Sequence, residues 1–384
     1  MDFTFYTAGE IIFGRGKVRD IGAIASRFGR KAMICYRGKN LERAGILAKV
    51  LDSLSAAGIS YMTMFFPSNE PQVEEVDLGA EQARNEKPDV IIGVGGGSAI
   101  DTAKAISGLV TNPGSVADYL EGVGRGRQIT NPSVPYIAVP TTAGTGAEVT
   151  KNAVISSKEQ KFKKSVRSPH LIPNVALLDP ELTITLPAKM TAETGMDALT
   201  QLIESYVSSK AQPIPEALAI YGIRMAGKYL ARAVQDGQDI EAREGMLLAS
   251  LLSGIALANS GLGAAHGIAA ALGAVAQIPH GRACAMLLPK VMRLNLPACE
   301  QKFADIGEAL GARASMTKTE KAEEAVRVVE RLCRAIGIPP KFAGTELSES
   351  MIPAIVAGSR GSSMQGNPIV LSDEQIEGIV RELI

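Results

Sequence analysis

Net charge is the first thing this chain lacks: 40 Lys and Arg stand against 40 Asp and Glu, for a formal net charge of +0. That balance removes the electrostatic footprint with which proteins hold nucleic acid or an anionic membrane surface, so no such partner is expected. Cysteine is scarce as well. Cys35, Cys284, Cys299 and Cys333 show no C-x-x-C spacing and read as reduced thiols, which points to a cytoplasmic location. The N-terminus, MDFTFYTAGEIIFGRG, has neither the basic segment nor the apolar run of a secretory signal. Aromatic residues amount to 4%, with no tryptophan, and give no pattern that points to one substrate. Residues 245–281 contain no Asp, Glu, Lys or Arg, but Gly254, Gly261, Gly263 and Gly267 break the segment and Ser250, Ser253, Asn259 and Gln277 make it partly polar. A membrane-spanning helix needs roughly 20 predominantly apolar residues, so this segment reads as two or three buried helices.

What is present divides the chain in two, as 384 residues exceed the size at which one core stops growing. Lys31–Tyr36 (KAMICY), Asp89–Val94 (DVIIGV) and Val134–Pro140 (VPYIAVP) are short apolar runs of the kind that form parallel strands buried on both faces. Helical patterns over Asn40–Ala57 and Glu74–Asn85 lie between them. This alternation predicts a doubly wound α/β domain over residues 1–187. After Leu177-Leu178-Asp179-Pro180 the strand signals end. Ala188–Ser208, Pro215–Gln235, Asp239–Ser260, Lys318–Ile336 and Asp373–Ile384 read as helices, predicting an all-helical domain over 188–384.

Two loops carry the signal of a nucleotide site. The run Gly95-Gly96-Gly97-Ser98 follows a strand and opens a helix, which brings bare backbone N–H groups to a positive helix end suited to a pyrophosphate. It is neither the G-x-G-x-x-G fingerprint nor a P-loop. The next strand ends in Pro140-Thr141-Thr142-Ala143-Gly144-Thr145-Gly146, placing a second hydroxyl- and glycine-rich loop at the same end of the sheet. Ligands of open α/β sheets bind there.

The three histidines give the second signal. His266 and His280 both fall in the apolar segment, where each ring nitrogen requires a partner. His170, in Ser168-Pro169-His170, reads as a loop residue. Asp197 and Gln201 are one helical turn apart, on one face of the predicted helix, in reach of a common ion. One carboxylate and two imidazoles suit Zn²⁺ or Fe²⁺.

Taken together, GGGSAIDTAK at 95–104, PTTAGTGAEVT at 140–150, TGMDALTQLIESYVS at 194–208 and the His266/His280 pair resemble the iron-containing (group III) alcohol dehydrogenases, within the dehydroquinate synthase-like superfamily. The resemblance runs to Gly366-Asn367-Pro368, almost the whole chain. It implies a nucleotide domain followed by a helical metal-binding domain. It places Gly96, Gly97, Ser98, Asp101, Thr141, Thr142, Thr145 and Lys163 at the coenzyme, and makes Asp197, His266 and His280 the metal ligands on which catalysis depends. The chain departs from the family at Gln201, where many members have a ligating histidine, and at Ala270, where a further histidine is often found.

The function expected is metal-assisted hydride transfer between NAD(P)(H) and a small alcohol, aldehyde or ketone, with Fe²⁺ or Zn²⁺ as the cation and Gln201 as a further contributor to its shell. A homo-oligomer is the family habit. A dehydroquinate-synthase-like lyase would need Lys and Arg around the metal, and residues 245–281 have neither. A metal-free nucleotide-binding protein without turnover is the non-enzymatic alternative. Coenzyme choice turns on Lys31–Tyr36, which runs into Arg37-Gly38-Lys39 where NAD-preferring relatives of this fold often carry an acid. Arg37 and Lys39 are therefore expected to pair with a 2′-phosphate, so that NADP(H) is used at least as well as NAD(H).

Overall fold

A computed structural model of the chain describes residues 2–160, 162–342 and 346–384. The chain forms two compact units. One comprises Tyr6–Thr142 with Gly146–Thr185, the other Met1–Phe5, Ala143–Thr145 and Leu186–Ile384. The main division falls two residues before the expected 187/188 boundary, and the loop segment 143–145 groups with the helical unit.

In the first unit, strands β1 (Glu10–Phe13), β2 (Lys31–Arg37), β3 (Ser60–Phe66), β4 (Val90–Gly95), β5 (Tyr136–Pro140) and β8 (Val175–Leu178) form a parallel sheet in the order β1-β8-β5-β4-β2-β3. A separate antiparallel hairpin pairs β6 (Asn152–Ser157) with β7 (Phe162–Arg167). The helices of this unit are α1 (Ile21–Ala25), α2 (Asn40–Arg43), α3 (Ile46–Ala56), α4 (Val73–Glu86) and α5 (Gly97–Thr111). The predicted helix 40–57 is split, because Gly45 takes a left-handed conformation (φ 68°) and separates α2 from α3.

Both sheet faces are covered, which is why β4, β5 and β8 are buried at every residue. Successive residues of β2 serve opposite cores. Met33 and Cys35 pack with Val76, Ala80 and Ile106 of α4 and α5, whereas Ala32 and Ile34 pack with Ile21, Val50 and Leu54 of α1 and α3. From β2 the chain moves outward to β3, then returns across β2 to β4 and continues through β5 in the other direction. The topological switch point therefore lies between β2 and β4. Tyr36 is in register with Val94 and Gly95 with Pro140, so the carboxyl ends of β2, β4 and β5 lie side by side.

The second unit is helical: α6 (Ala188–Val207), α7 (Pro213–Gln235), α8 (Ile240–Ser260), α9 (Ala264–Ala276), α10 (His280–Asn295), α11 (Glu300–Ala309), α12 (Lys318–Ala335), α13 (Ile352–Gly358) and α14 (Asp373–Arg381). The uncharged segment 245–281 folds as most of α8, all of α9 and the start of α10, interrupted where glycines cluster. Among the described residues no single helix is long and apolar enough to cross a membrane, and α8 and α9 are bent by 100° at their break.

Asp179, at the end of β8, is fully buried. Its carboxylate accepts from the backbone N–H groups of Gly16, Val18 and Glu181, each at 3.0 Å, tying the turn after β1 to the sheet. Replacing it by alanine orphans those donors and is expected to cost about 3 kcal/mol. Denaturant titration of Asp179→Ala checks this; an unchanged midpoint would show that water replaces the carboxylate without loss.

Candidate functional site

Helix α6 is the base of a cluster of side chains that could hold a metal ion. Asp197, Gln201 and Glu204 follow one another at i, i+4 and i+7 and share one buried face. Helix α10 begins against it so closely that a Cβ on Gly281 would lie 2.3 Å from the Glu193 carbonyl oxygen. Only glycine permits that approach, and it brings the preceding residue, His280, to Asp197. The His280 Nε2 lies 3.6 Å from Asp197 Oδ1. His266, on the first turn of α9, meets the same oxygen with its Nε2 at 3.2 Å.

The other ring nitrogen of His266, Nδ1, lies 2.6 Å from Glu204 Oε2, and both side chains are buried. A carboxylate there accepts a hydrogen bond from Nδ1–H and leaves Nε2 aimed at the cluster, the usual outer partner of a metal-ligating imidazole. Glu204 Oε1 also accepts the Ala265 N–H at 2.6 Å, and Asn367 Oδ1 accepts that of Ala264 at 3.1 Å. The start of α9 is thus capped by side chains from elsewhere in the unit. Asn367 is held in turn by a reciprocal pair of 2.9 Å hydrogen bonds with the Asn295 amide.

Cys284 completes the cluster. It follows His280 by one turn of α10, is fully buried, and places Sγ 3.7 Å from His280 Nε2. Ligand atoms of Asp197, His266, His280 and Cys284 all lie within 4.8 Å of one another. Burial works against the Cys284 thiolate and the Asp197 carboxylate, but the facing imidazoles outweigh it and hold both pKa values below their ordinary range. The same burial opposes a positive His266, yet Cys284 and Glu204 raise its pKa well above the usual imidazole value. The Cys284 sulfur is also the largest influence raising His280. Acid groups gathered in an apolar interior with imidazoles as their only ion-pair partners among the described residues form a site that calls for positive charge. An oxygen, two nitrogens and a sulfur within reach of one point fit a divalent transition metal.

Gln201, expected to contribute to the metal shell, is engaged by a neighbouring hydroxyl. It is buried, as its position on α6 demands, but its amide oxygen accepts the Ser253 hydroxyl at 2.7 Å. The side chain that joins the two histidines and Asp197 is Cys284. The spacing His280-x-x-x-Cys284 was the available signal, of the same i, i+4 kind as Asp197 and Gln201. Glu204 was equally visible one turn after Gln201. His170 lies, as expected, in a surface turn (Pro169–Leu171), and Ala270 is on α9.

At the sheet end, α5 begins at Gly97 with Gly96 as an N-cap that supplies no side-chain bond. A Cβ on Gly96 would lie 3.2 Å from the Thr142 methyl carbon, filling the space between the two loops. Thr141 donates its backbone N–H to the Gly95 carbonyl at 2.9 Å, which holds the loops together. Asp101 and Lys163 already have protein partners. Asp101 accepts the Val154 N–H at 3.0 Å, and Lys163 pairs with Glu70 at 2.5 Å. Ser98 gives its carbonyl to the Thr102 hydroxyl at 2.8 Å. Thr145 falls in the segment that groups with the helical unit.

Arg37 is placed differently from the expectation. Its guanidinium does not face outward for a 2′-phosphate. It is only 7% exposed, pairs with Glu75 at 2.7 Å, and donates to the Thr102 hydroxyl at 2.8 Å and to the Ser68 carbonyl. Glu75, against the effect of its own burial, is held below the usual carboxylate pKa by Arg37. An arginine with several donors and an acid within reach on α4 is bound more firmly inside than as a solvated turn residue.

Comparisons with known proteins identify the family. The model of iron-containing alcohol dehydrogenases matches residues 8–180, and that of the C-terminal domain of the same family matches residues 191–384. The NAD-dependent methanol dehydrogenase of Bacillus methanolicus is 34% identical over 384 residues, covering 99% of each chain. A crystal structure of a 1,3-propanediol oxidoreductase superposes with a TM-score of 0.95 at 35% identity, covering 100% of both chains. The sulfoacetaldehyde reductase of Bifidobacterium kashiwanohense, solved in complex with NAD⁺, superposes with a TM-score of 0.90 at 30% identity over 100% of this chain and 99% of that one. Spanned by both family models and covered end to end by these relatives, the chain belongs to the iron-containing alcohol dehydrogenase family.

Proposed function

We propose that this chain interconverts small, uncharged alcohols and their aldehydes or ketones, using NAD(H) and one divalent cation held by Asp197, His266 and His280. The observation that carries the reading is the buried meeting of these three side chains with Glu204 behind His266. When bound, the cation supplies Lewis acidity toward a substrate oxygen, and the nicotinamide gives or takes the hydride. The remaining work belongs to the chain itself. Glu204 keeps the proton on His266 Nδ1 and fixes the ring orientation, while Asp197 supplies the charge that keeps a cation in an apolar interior. Gly96, Gly97 and Ser98, with Thr141 and Thr142, receive the coenzyme phosphates at the opening of α5. The absence of Lys and Arg from 245–281 leaves that segment without a charge to grip a phosphorylated or carboxylated substrate. Methanol and 1,3-propanediol, the alcohols named for two relatives, are the first substrates to try. Four free thiols accord with a reducing, cytoplasmic setting.

Asp197→Ala and His266→Ala are expected to lose the metal and to slow turnover roughly a thousandfold or more. Glu204→Gln, which keeps the shape but weakens the hold on the imidazole, is expected to lower metal affinity by about 10- to 100-fold. Metal content of the purified proteins and coenzyme-linked rates with short alcohols check both. Near-normal turnover in a variant that has lost its metal would defeat the mechanism.

Coenzyme choice gives a separate test. With Arg37 committed to Glu75, only Lys39 remains at the end of β2 to meet a 2′-phosphate, and kcat/KM is expected to favour NAD(H) over NADP(H). Arg37→Ala would leave Glu75 unpaired in a largely buried position, at a cost of about 3 kcal/mol, without shifting the coenzyme ratio. Thermal melts and kcat/KM with both coenzymes separate the two effects. A stable variant with a changed ratio would return Arg37 to the coenzyme.

A further inference from the structure

The cluster on α6, α9 and α10 holds a thiol, that of Cys284, beside its carboxylate and two imidazoles. Two other thiols of this chain rest on backbone carbonyls: that of the half-buried Cys299, with Sγ 3.2 Å from the Asn295 oxygen, and that of the buried Cys333, with Sγ 3.6 Å from the Ala285 oxygen. Cys284 faces two imidazoles and a carboxylate instead, with its sulfur 3.7 Å from His280 Nε2 and within 4.8 Å of the ligand atoms of Asp197 and His266. These are groups a sulfur shares most naturally through a common cation. The residue that would otherwise add a donor from α6, Gln201, has its oxygen engaged by Ser253.

Resting on the metal-dependent reading above, we infer that Cys284 is the fourth protein ligand of the cation, bound as a thiolate, and that it makes the site a zinc site in a family named for iron. The thiol gives up its proton to solvent on coordination, as a metal-bound cysteine does. One carboxylate and one thiolate in direct contact would match a divalent charge inside an apolar helical unit, and the Glu204 carboxylate would be met through the His266 Nδ1–H. Thiolate is the softest donor of the set and favours Zn²⁺ over Fe²⁺, in the sense already given by the ordinary order of divalent affinities. Mixed oxygen, nitrogen and sulfur coordination is common for zinc, which also expands beyond four ligands when a substrate oxygen arrives. The position of Cys284 one turn after His280 means that a single helix delivers two of the four ligands, so the pair moves as a unit.

The test uses the full-length protein stripped of metal and reconstituted with Zn²⁺ or Co²⁺. Zinc-edge X-ray absorption is expected to show one sulfur at about 2.3 Å beside nitrogen and oxygen neighbours at about 2.0–2.2 Å. The Co²⁺ protein is expected to show sulfur-to-cobalt charge-transfer absorption in the near ultraviolet. That band should vanish in Cys284→Ser and Cys284→Ala but persist in Gln201→Ala. Competition between Zn²⁺ and Fe²⁺ should favour zinc in the wild type, with the preference falling about 100-fold when the sulfur is removed. Circular dichroism of the metal-free variants identifies any that fail to fold; Cys284→Ser, nearly equal in volume, serves if Cys284→Ala does not. One equivalent of bound metal with no sulfur neighbour would overturn the ligand assignment and leave the metal-dependent mechanism standing. Full turnover with no bound metal would overturn that mechanism itself.

Discussion

The buried contact between Glu204 and His266 is the interaction that ties the start of α9 to α6 and sets the cluster around it. A carboxylate and an imidazole sealed among apolar helices each lose their hydration, and only close hydrogen bonding offsets that loss. The contact joins α6 to α9. It fixes which nitrogen of His266 carries the proton, and through Glu204 Oε1 it also caps the helix on which His266 sits. Gly263 is required beside it, because a Cβ there would come within 2.9 Å of both the Glu204 and the Asn367 side-chain oxygens. His266 is thus positioned by a polar network that also caps the start of α9.

The sheet unit solves a related problem with cations. Lys104, the last residue of the GGGSAIDTAK segment, is fully buried, and its ammonium reaches the carbonyls of Ala147, Thr150 and Asn152 and the Thr150 hydroxyl at 2.7–3.0 Å. Burial lowers its pKa to about 8 against the pull of Asp101 and Glu148. Arg37 likewise turns inward at the end of β2. Both residues brace the loops beyond the sheet from within, and the backbone that is left facing outward is that of glycine, serine and threonine. A loop that receives phosphates through N–H groups needs this kind of internal support, since its own residues are too small to pack.

Much of this was legible in the chain. Fully apolar runs identified β2, β4 and β5 because strands covered on both sides have no polar face, and the loss of that pattern after Asp179 marked the change to helices. Short or amphipathic elements were harder to see. β1 has only four residues, β3 exposes alternate side chains, and the β6–β7 hairpin is rich in Ser and Lys; none stands out by hydrophobicity. Asp197, His266 and His280 were legible because charge and imidazole are conspicuous in an apolar context. Cys284 is not conspicuous, since a cysteine is at home in a core, and Glu204 lies within a helix that contains other polar residues.

The sequence by itself determined the two-part architecture, the glycine- and threonine-bearing loops and three members of the buried Asp197–His266–His280–Cys284 cluster, because periodicity and spacing are local properties and survive without a fold. Tertiary structure alone decided the partners. Whether Arg37 faces a coenzyme or Glu75 depends on α4 lying beside the end of β2, across 38 residues of chain. The place of Cys284 depends on α10 packing against α6 at Gly281, and the state of Gln201 on Ser253 arriving from α8. A side chain's chemistry is written in its own residue, but its role is set by what reaches it within hydrogen-bonding distance, and that is decided only when distant segments pack.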